Sequence, residues 1–213
     1  MKRFQMITEA DARVLDYGST VVLAAGGHVT PLAVDTLKAR RVALVREGAE
    51  PDVDVAMLAP RADIRTVAIG GDHTSLTLKA AIVAHLRGRG VAVHDLGTHT
   101  SEPVDYPDTA GAVALQVARG EADAGIAIDG AGLGSTIAAN KLRGVRAANC
   151  TDRTLARYAR EHTGANVLAL GSTLVTAADA LEIVETFLGT PMREARYMRR
   201  LMKVRDLERR PQS

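Results

Sequence analysis

The chain has 213 residues, 46% of them hydrophobic, which suffices for one ordinary domain with a remainder. Two Phe, four Tyr, no Trp and a formal net charge of +2 supply neither stacking rings nor a basic field, so nucleic acid is excluded as an expected partner. Apolar runs fall far short of the roughly 20 residues of a membrane helix, the single Cys150 rules out an internal disulfide framework, and no Cys/His cluster has metal-ligand spacing.

The start, Met1-Lys2-Arg3-Phe4-Gln5, is basic but runs into Thr8-Glu9-Ala10-Asp11 rather than an apolar stretch. It is therefore no secretory signal, and a cytoplasmic protein is expected. Thr8 with Asp11 three residues on predicts a capping box and a short helix to about Asp16. Thr20–Leu23 reads as a strand, Gly26-Gly27 as a turn, Thr30-Pro31 as an N-cap with proline at the first helical position, and Val42–Val45 as a second strand. Residues 1–48 thus form a small helix–strand–helix–strand unit. Pro51, Pro60 and scattered acidic residues mark 49–63 as a linker.

From residue 64 to 213, β-branched runs alternate with helical patterns. Strands are expected at Thr66–Ile69, Val91–His94, Gly125–Ile128, Val145–Ala148 and Asn166–Leu170, and helices near 75–88, 108–119, 135–141, 152–161, 176–188 and 191–208. This order predicts an α/β fold, a doubly wound parallel sheet in a Rossmann-like α/β/α sandwich with a C-terminal helix, preceded by the small α/β extension. Ligands in such sheets sit beyond the carboxyl ends of the strands, which points to the loops after Ile69, Ile128 and Ala148.

After the first of these strands comes Gly70-Gly71-Asp72-His73, where Asp72 and His73 have the chemistry to move protons or grip a sugar hydroxyl. A helix-capping role for Asp72 stands beside that reading. The loop Asp129-Gly130-Ala131-Gly132-Leu133-Gly134-Ser135 feeds a helix and would aim several amides at one anion. Its G-x-G-x-G spacing differs from the dinucleotide fingerprint. His162 closes a helical segment, with catalytic and dipole-satisfied structural roles both open. Arg196 and Arg200, four apart, either fork onto a phosphate or belong to a solvated basic face.

Ile69-Gly70-Gly71-Asp72-His73, Asp105-Tyr106-Pro107-Asp108, Gly120-Glu121-Ala122-Asp123, the glycine loop with Ile137-Ala138-Ala139-Asn140-Lys141, Ala159-Arg160-Glu161-His162 and Ala165–Gly171 occur in one order. Together they resemble the ribose-5-phosphate isomerase B and galactose-6-phosphate isomerase family over residues 65 to about 205. The resemblance implies an aldose–ketose isomerase of a sugar phosphate, working through a cis-enediolate without metal or cofactor, as a homodimer or higher homo-oligomer with shared pockets. Asp72 and His162 match the ring-opening residues and His73 lines the pocket. Gly130, Ala131, Gly132, Leu133, Gly134 and Ser135 match the loop whose amides stabilise the enediolate, Thr163 adjoins the substrate, and Arg196 and Arg200 match the phosphate pair.

Departures from that pattern concern the base. The family's proton-abstracting cysteine falls at Asp129 and its neighbouring threonine at Ala131, while an alternative glutamate base falls at Ser135. The asparagine after the histidine is Thr163, and a third phosphate arginine is Thr173. Asp129 is expected to replace the cysteine as base, since carboxylates can abstract a proton alpha to a carbonyl. The alternatives are a silent or partner-dependent sugar-phosphate-binding subunit that kept the fold, and some other base acting on an altered substrate. Ile7–Arg13 and Val29–Ala33 are also similar to N-terminal segments of some bacterial microcompartment-associated enzymes, which implies a role in assembly or encapsulation; a fold-completing or dimer-supporting appendage stands beside that reading.

Overall fold

The computed structural model describes residues 2–17, 19–40, 42–47, 58–61 and 63–208, and the chain divides into two compact units, Met1–Val55 and Ala56–Ser213. In the first unit, strand β1 (Lys2–Ile7), helix α1 (Glu9–Arg13), strand β2 (Thr20–Val29), helix α2 (Pro31–Ala39) and strand β3 (Ala43–Arg46) build a parallel sheet in the order β1-β2-β3. Both caps form as the sequence implies: Thr8 and Asp11 bond reciprocally, and Thr30 Oγ1 accepts from Ala33 N at 3.4 Å. The helix that follows Thr8 ends at Arg13, however, short of Asp16. Ile7, Leu15, Val21, Leu23 and Leu37 close a separate small core.

Two further expectations are corrected here. β1 takes up the basic start that sequence patterning passes over, because in an edge strand only Ile7 is buried and the charged residues face water. Gly26-Gly27 is no turn: β2 runs through it, and the register against β1 shifts between Phe4 and Met6. A Cβ on Gly27 would lie 2.8 Å from the carbonyl oxygens of Ala24 and Gln5, so glycine permits the close approach at this irregularity.

The larger unit is a five-stranded parallel sheet of β4 (Thr66–Gly71), β5 (Ala92–Asp95), β6 (Ala124–Asp129), β7 (Ala147–Asn149) and β8 (Val167–Gly171), ordered β5-β4-β6-β8-β7. Between and after them run α3 (Leu76–Gly88), α4 (Tyr106–Ala118), α5 (Leu133–Ala139), α6 (Arg153–Thr163), α7 (Ala177–Gly189) and α8 (Ala195–Glu208). Alternation along the strands assigns the two faces. Ile69, Ile126, Ile128, Leu168 and Leu170 meet α3, α6 and α7, whereas the smaller Ala68 and Ala127 meet α4 and α5. The direction in which successive strands are added to the sheet reverses between β4 and β6, so the loops after Gly71 and Asp129 flank the switch point of the sheet.

Of the expected linker, residues 49–57 and 62 lie outside the described residues. From Leu58 the backbone already belongs to the larger unit. Arg146 Nη2 donates to Leu58 O at 2.9 Å, and the fully buried Arg160 donates to Arg61 O at 2.8 Å. Arg61 also pairs with Asp123.

Candidate active site

Asp129 ends the buried central strand β6 and is 5% exposed. Its side chain turns toward the face of Ala127, where α5 begins, and there it is enclosed by its own loop. Oδ1 accepts from Ala131 N at 2.8 Å and from Gly132 N, and Oδ2 accepts from Ser135 N at 2.6 Å. Burial pushes the carboxyl pKa up, but the bonds from Ser135, Gly132 and Ala131 outweigh it and hold the group below the ordinary carboxylate value. Asp129 is therefore ionised, and the loop amides expected to face an enediolate already face this carboxylate. The reason is one of length: an aspartate at the strand end curls back onto amides two, three and six residues ahead.

The rest of the loop is shaped for this enclosure. Gly132 has φ +75°, and a Cβ there would lie 2.6 Å from Asn149 Oδ1. Asn149 donates to Ala131 O at 3.1 Å, and Thr173, at the missing arginine's place, donates from Oγ1 to Gly130 O at 2.6 Å. The ring of Tyr106 lies on Gly134, where a Cβ would come within 2.6 Å of it. Leu133 is 60% exposed. Asn149 and Tyr106 are site residues that sequence reasoning missed, although Tyr106 sits in the Asp105-Tyr106-Pro107-Asp108 motif.

Across the switch point, Asp72 is buried and caps the short 3-10 turn His73–Ser75. Its Oδ1 accepts from Thr74 N at 2.9 Å and from Thr74 Oγ1 at 2.6 Å, so the capping reading is realised. Thr74 Oγ1 lies 2.9 Å from Ser172 Oγ. His73 Nδ1 accepts the Val104 N–H at 3.4 Å, which leaves the ring proton on Nε2.

The remaining expected residues gather elsewhere. α6 descends from the carboxyl end of β7 to the amino end of β8, so His162 and Thr163, in its last turn, lie at the opposite end of the sheet from Asp129. α8 packs at that end too, since a Cβ on Gly164 would be 2.7 Å from Leu201. The His162 imidazole is sandwiched by Tyr158 at 4.5 Å and Tyr197 at 4.4 Å between ring centroids. Arg196 and Arg200 both lie over Tyr197, their Cζ atoms 4.7 and 5.7 Å from its centroid. Arg196 also pairs with Glu194 at 2.6 Å. Thr163 Oγ1 turns back onto Ala159 O at 2.6 Å. The expected residues thus fall into two separate clusters of one chain, Asp72–His73–Asp129 with its loop, and His162–Arg196–Arg200.

Cys150, just past β7, is 1% exposed, and burial together with nearby Asp152 pushes its thiol up to about 12. It is a protonated core residue.

A doubly wound sheet with an anion-charged glycine loop at its switch point, and a separate imidazole–guanidinium cluster, is the architecture of a small-metabolite α/β enzyme. The Ribose/Galactose Isomerase family matches residues 67–204, and the chain belongs to that family. Among its relatives is the ribose-5-phosphate isomerase B of Escherichia coli K12, 45% identical over 147 residues, or 69% of this chain and 99% of that one. A solved ribose-5-phosphate isomerase B from Clostridium thermocellum superposes with a TM-score of 0.66 at 47% identity, covering 67% of this chain and 97% of that one. Another, from Mycoplasma genitalium with bound ribulose-5-phosphate, gives 0.66 at 40% identity, covering 68% and 97%. Among the described residues no helix is long and apolar enough to cross a membrane.

Proposed function

We propose that the chain is a cytoplasmic, cofactor-independent aldose–ketose isomerase of ribose 5-phosphate or a closely related sugar phosphate, with Asp129 as its base. The observation that carries this is the buried carboxylate at the end of the central strand, held by three backbone amides at the position of the family's proton-abstracting cysteine. In the open-chain aldose the C2–H bond breaks toward Asp129 Oδ2, which holds one amide bond and retains a lone pair. The electron pair left behind forms the C1–C2 double bond and charges O1. The protonated carboxyl then returns the proton to C1, while the O2 proton passes to O1, leaving the ketose. His162 and Asp72 serve ring opening, His73 presents its Nε2 proton to the sugar, and Arg196 and Arg200 take the phosphate.

A strand of about five residues spans roughly 17 Å. Half-sites at the two ends of one sheet therefore support a homodimer in which each pocket joins the loop of one copy to the imidazole and arginines of the other. The N-terminal unit, outside the matched residues, is assigned to assembly, including association with a bacterial microcompartment.

Incubation with ribose 5-phosphate and with four- and six-carbon aldose phosphates in D2O tests the reading. Ketose formation with deuterium at C1 is expected on at least one of them. A second reading, a partner-dependent subunit, is favoured by the occupation of the loop amides by Asp129 itself. Absence of exchange on every sugar, with binding retained, would decide for it.

A further inference from the structure

We propose that Tyr197 is a positioning residue that holds the His162 imidazole and the Arg196 guanidinium at a fixed separation, and thereby sets the spacing between ring opening and phosphate binding. The inference rests on the isomerase reading for the roles of His162 and Arg196. Tyr197 lies in the first turn of α8 and is 5% exposed, although Arg196 precedes it and Arg199 and Arg200 follow within one turn. One face of its ring meets His162 at 4.4 Å and 32°. On the other side of the imidazole, Tyr158, one helical turn before His162 on α6, stacks at 4.5 Å and 16°. Both faces of the imidazole are thus closed, and only its edge, which carries the two nitrogens, remains to meet a ligand.

The hydroxyl at the far end of the same ring accepts from Arg196 Nη2 at 2.9 Å. Tyr197 therefore touches both the imidazole and the guanidinium. Leu201, four residues on and 2% exposed, seats the next turn of α8 against Gly164, where φ is +67°, so the ring cannot slide along α6. Around the stack stand the Glu161 carboxylate, 3.8 Å from His162 Nε2, and the guanidinium groups of Arg157, Arg196 and Arg200. A rigid aromatic spacer of this kind converts two flexible side chains into one preorganised element, and misplacement by about 1 Å is enough to cost up to 10²-fold in rate.

The test separates the two ends of the ring. Tyr197→Phe keeps the stack and deletes the hydroxyl. KM for ribose 5-phosphate should rise severalfold, with kcat within about twofold. Tyr197→Leu deletes the stack, and kcat should fall about tenfold or more while the His162 Cε1 proton, shielded by the two rings, moves downfield in the NMR spectrum. Tyr158→Leu should reproduce the loss in kcat without the change in KM, and it carries the test with Tyr197→Phe should Tyr197→Leu not fold. Identical effects of Tyr197→Phe and Tyr197→Leu on both constants, or an unmoved resonance, would overturn the proposal. If the wild type turns over no sugar phosphate, the isomerase reading fails by itself. The resonance and the affinity for ribose 5-phosphate then still decide on Tyr197, a shift with weakened binding supporting it and no change in either sinking it.

Discussion

Replacing Asp129 by asparagine removes the proposed base and breaks its enclosure at once, and the two losses have separate magnitudes. The amide oxygen of asparagine can still accept from Ala131 N and Gly132 N, but its NH2 then faces the Ser135 N–H, two donors in a buried position where the native oxygen lies 2.6 Å away. Losing a charge-assisted bond and stranding a buried amide costs about 1.5–3 kcal/mol. For a chain of this size that corresponds to a fall in melting temperature of about 3–12 °C. The loss of a positioned general base lowers kcat by roughly 10²–10⁴. Deuterium exchange at the substrate carbon should fall with kcat, whereas damage to the loop alone would raise KM and leave exchange intact. The pH dependence has a defined sign. Because the folded pKa lies below the unfolded value near ~3.9, the bonds of Asp129 stabilise the fold fully above that value and are lost as pH falls through the lower, folded one. Activity should show its acid limb in the same region. Turnover near wild type in Asp129→Asn, or an unchanged melting temperature, would refute this reasoning.

Arg196→Ala and Arg200→Ala should each weaken ribose 5-phosphate about tenfold and leave unphosphorylated ribose unaffected, measured by calorimetry, since a paired guanidinium recognises the phosphate and not the sugar. Equal losses for both ligands would return the pair to a solvated face. Cys150, buried and with its thiol pushed up to about 12, should resist iodoacetamide in the native protein at pH 8, and stoichiometric labelling without unfolding would contradict its place in the core. A chain lacking residues 1–50 should melt cooperatively, because the larger unit has its own two-faced core and takes its N-terminal anchorage from Leu58 and Arg61. Loss of the transition would show that the first unit completes that core.

The strands of the larger unit were legible because a parallel sheet covered on both faces forces near-continuous apolar runs, such as those ending at Gly71, Asp129 and Gly171. Strand β1 was not, because an edge strand buries little and its Lys2 and Arg3 read as a charged terminus. The loops after Gly71 and Asp129 were legible as the place for chemistry from strand order alone. Which atoms bond there was not, since whether a carboxylate faces outward or curls onto Ala131, Gly132 and Ser135 depends on loop torsions that no spacing rule encodes. The separation of His162 from Asp129 is legible in the order of the elements. A residue closing the helix that precedes the last strand lies at that strand's amino end, opposite the loops. The four-residue interval from Tyr158 to His162 likewise places the two rings on one helical face.

On the proposed mechanism, an aspartate in place of a cysteine at the end of β6 changes more than the identity of the base. A thiol must lose a proton before it can act, whereas Asp129 is ionised from the start, and its charge is neutralised by the same amides that an enediolate needs. The two demands conflict as long as the carboxylate keeps all three bonds. They are reconciled if the substrate's developing oxyanion, the stronger acceptor, takes one of the amides. Burial, which on its own pushes the carboxyl up, is then opposed by fewer bonds, and Asp129 becomes a better base at the moment the proton must move. Ser135 N is the amide whose release has this effect on the reacting atom, because it donates to Oδ2, while Oδ1 stays anchored by Ala131 and Gly132 and keeps the side chain in place.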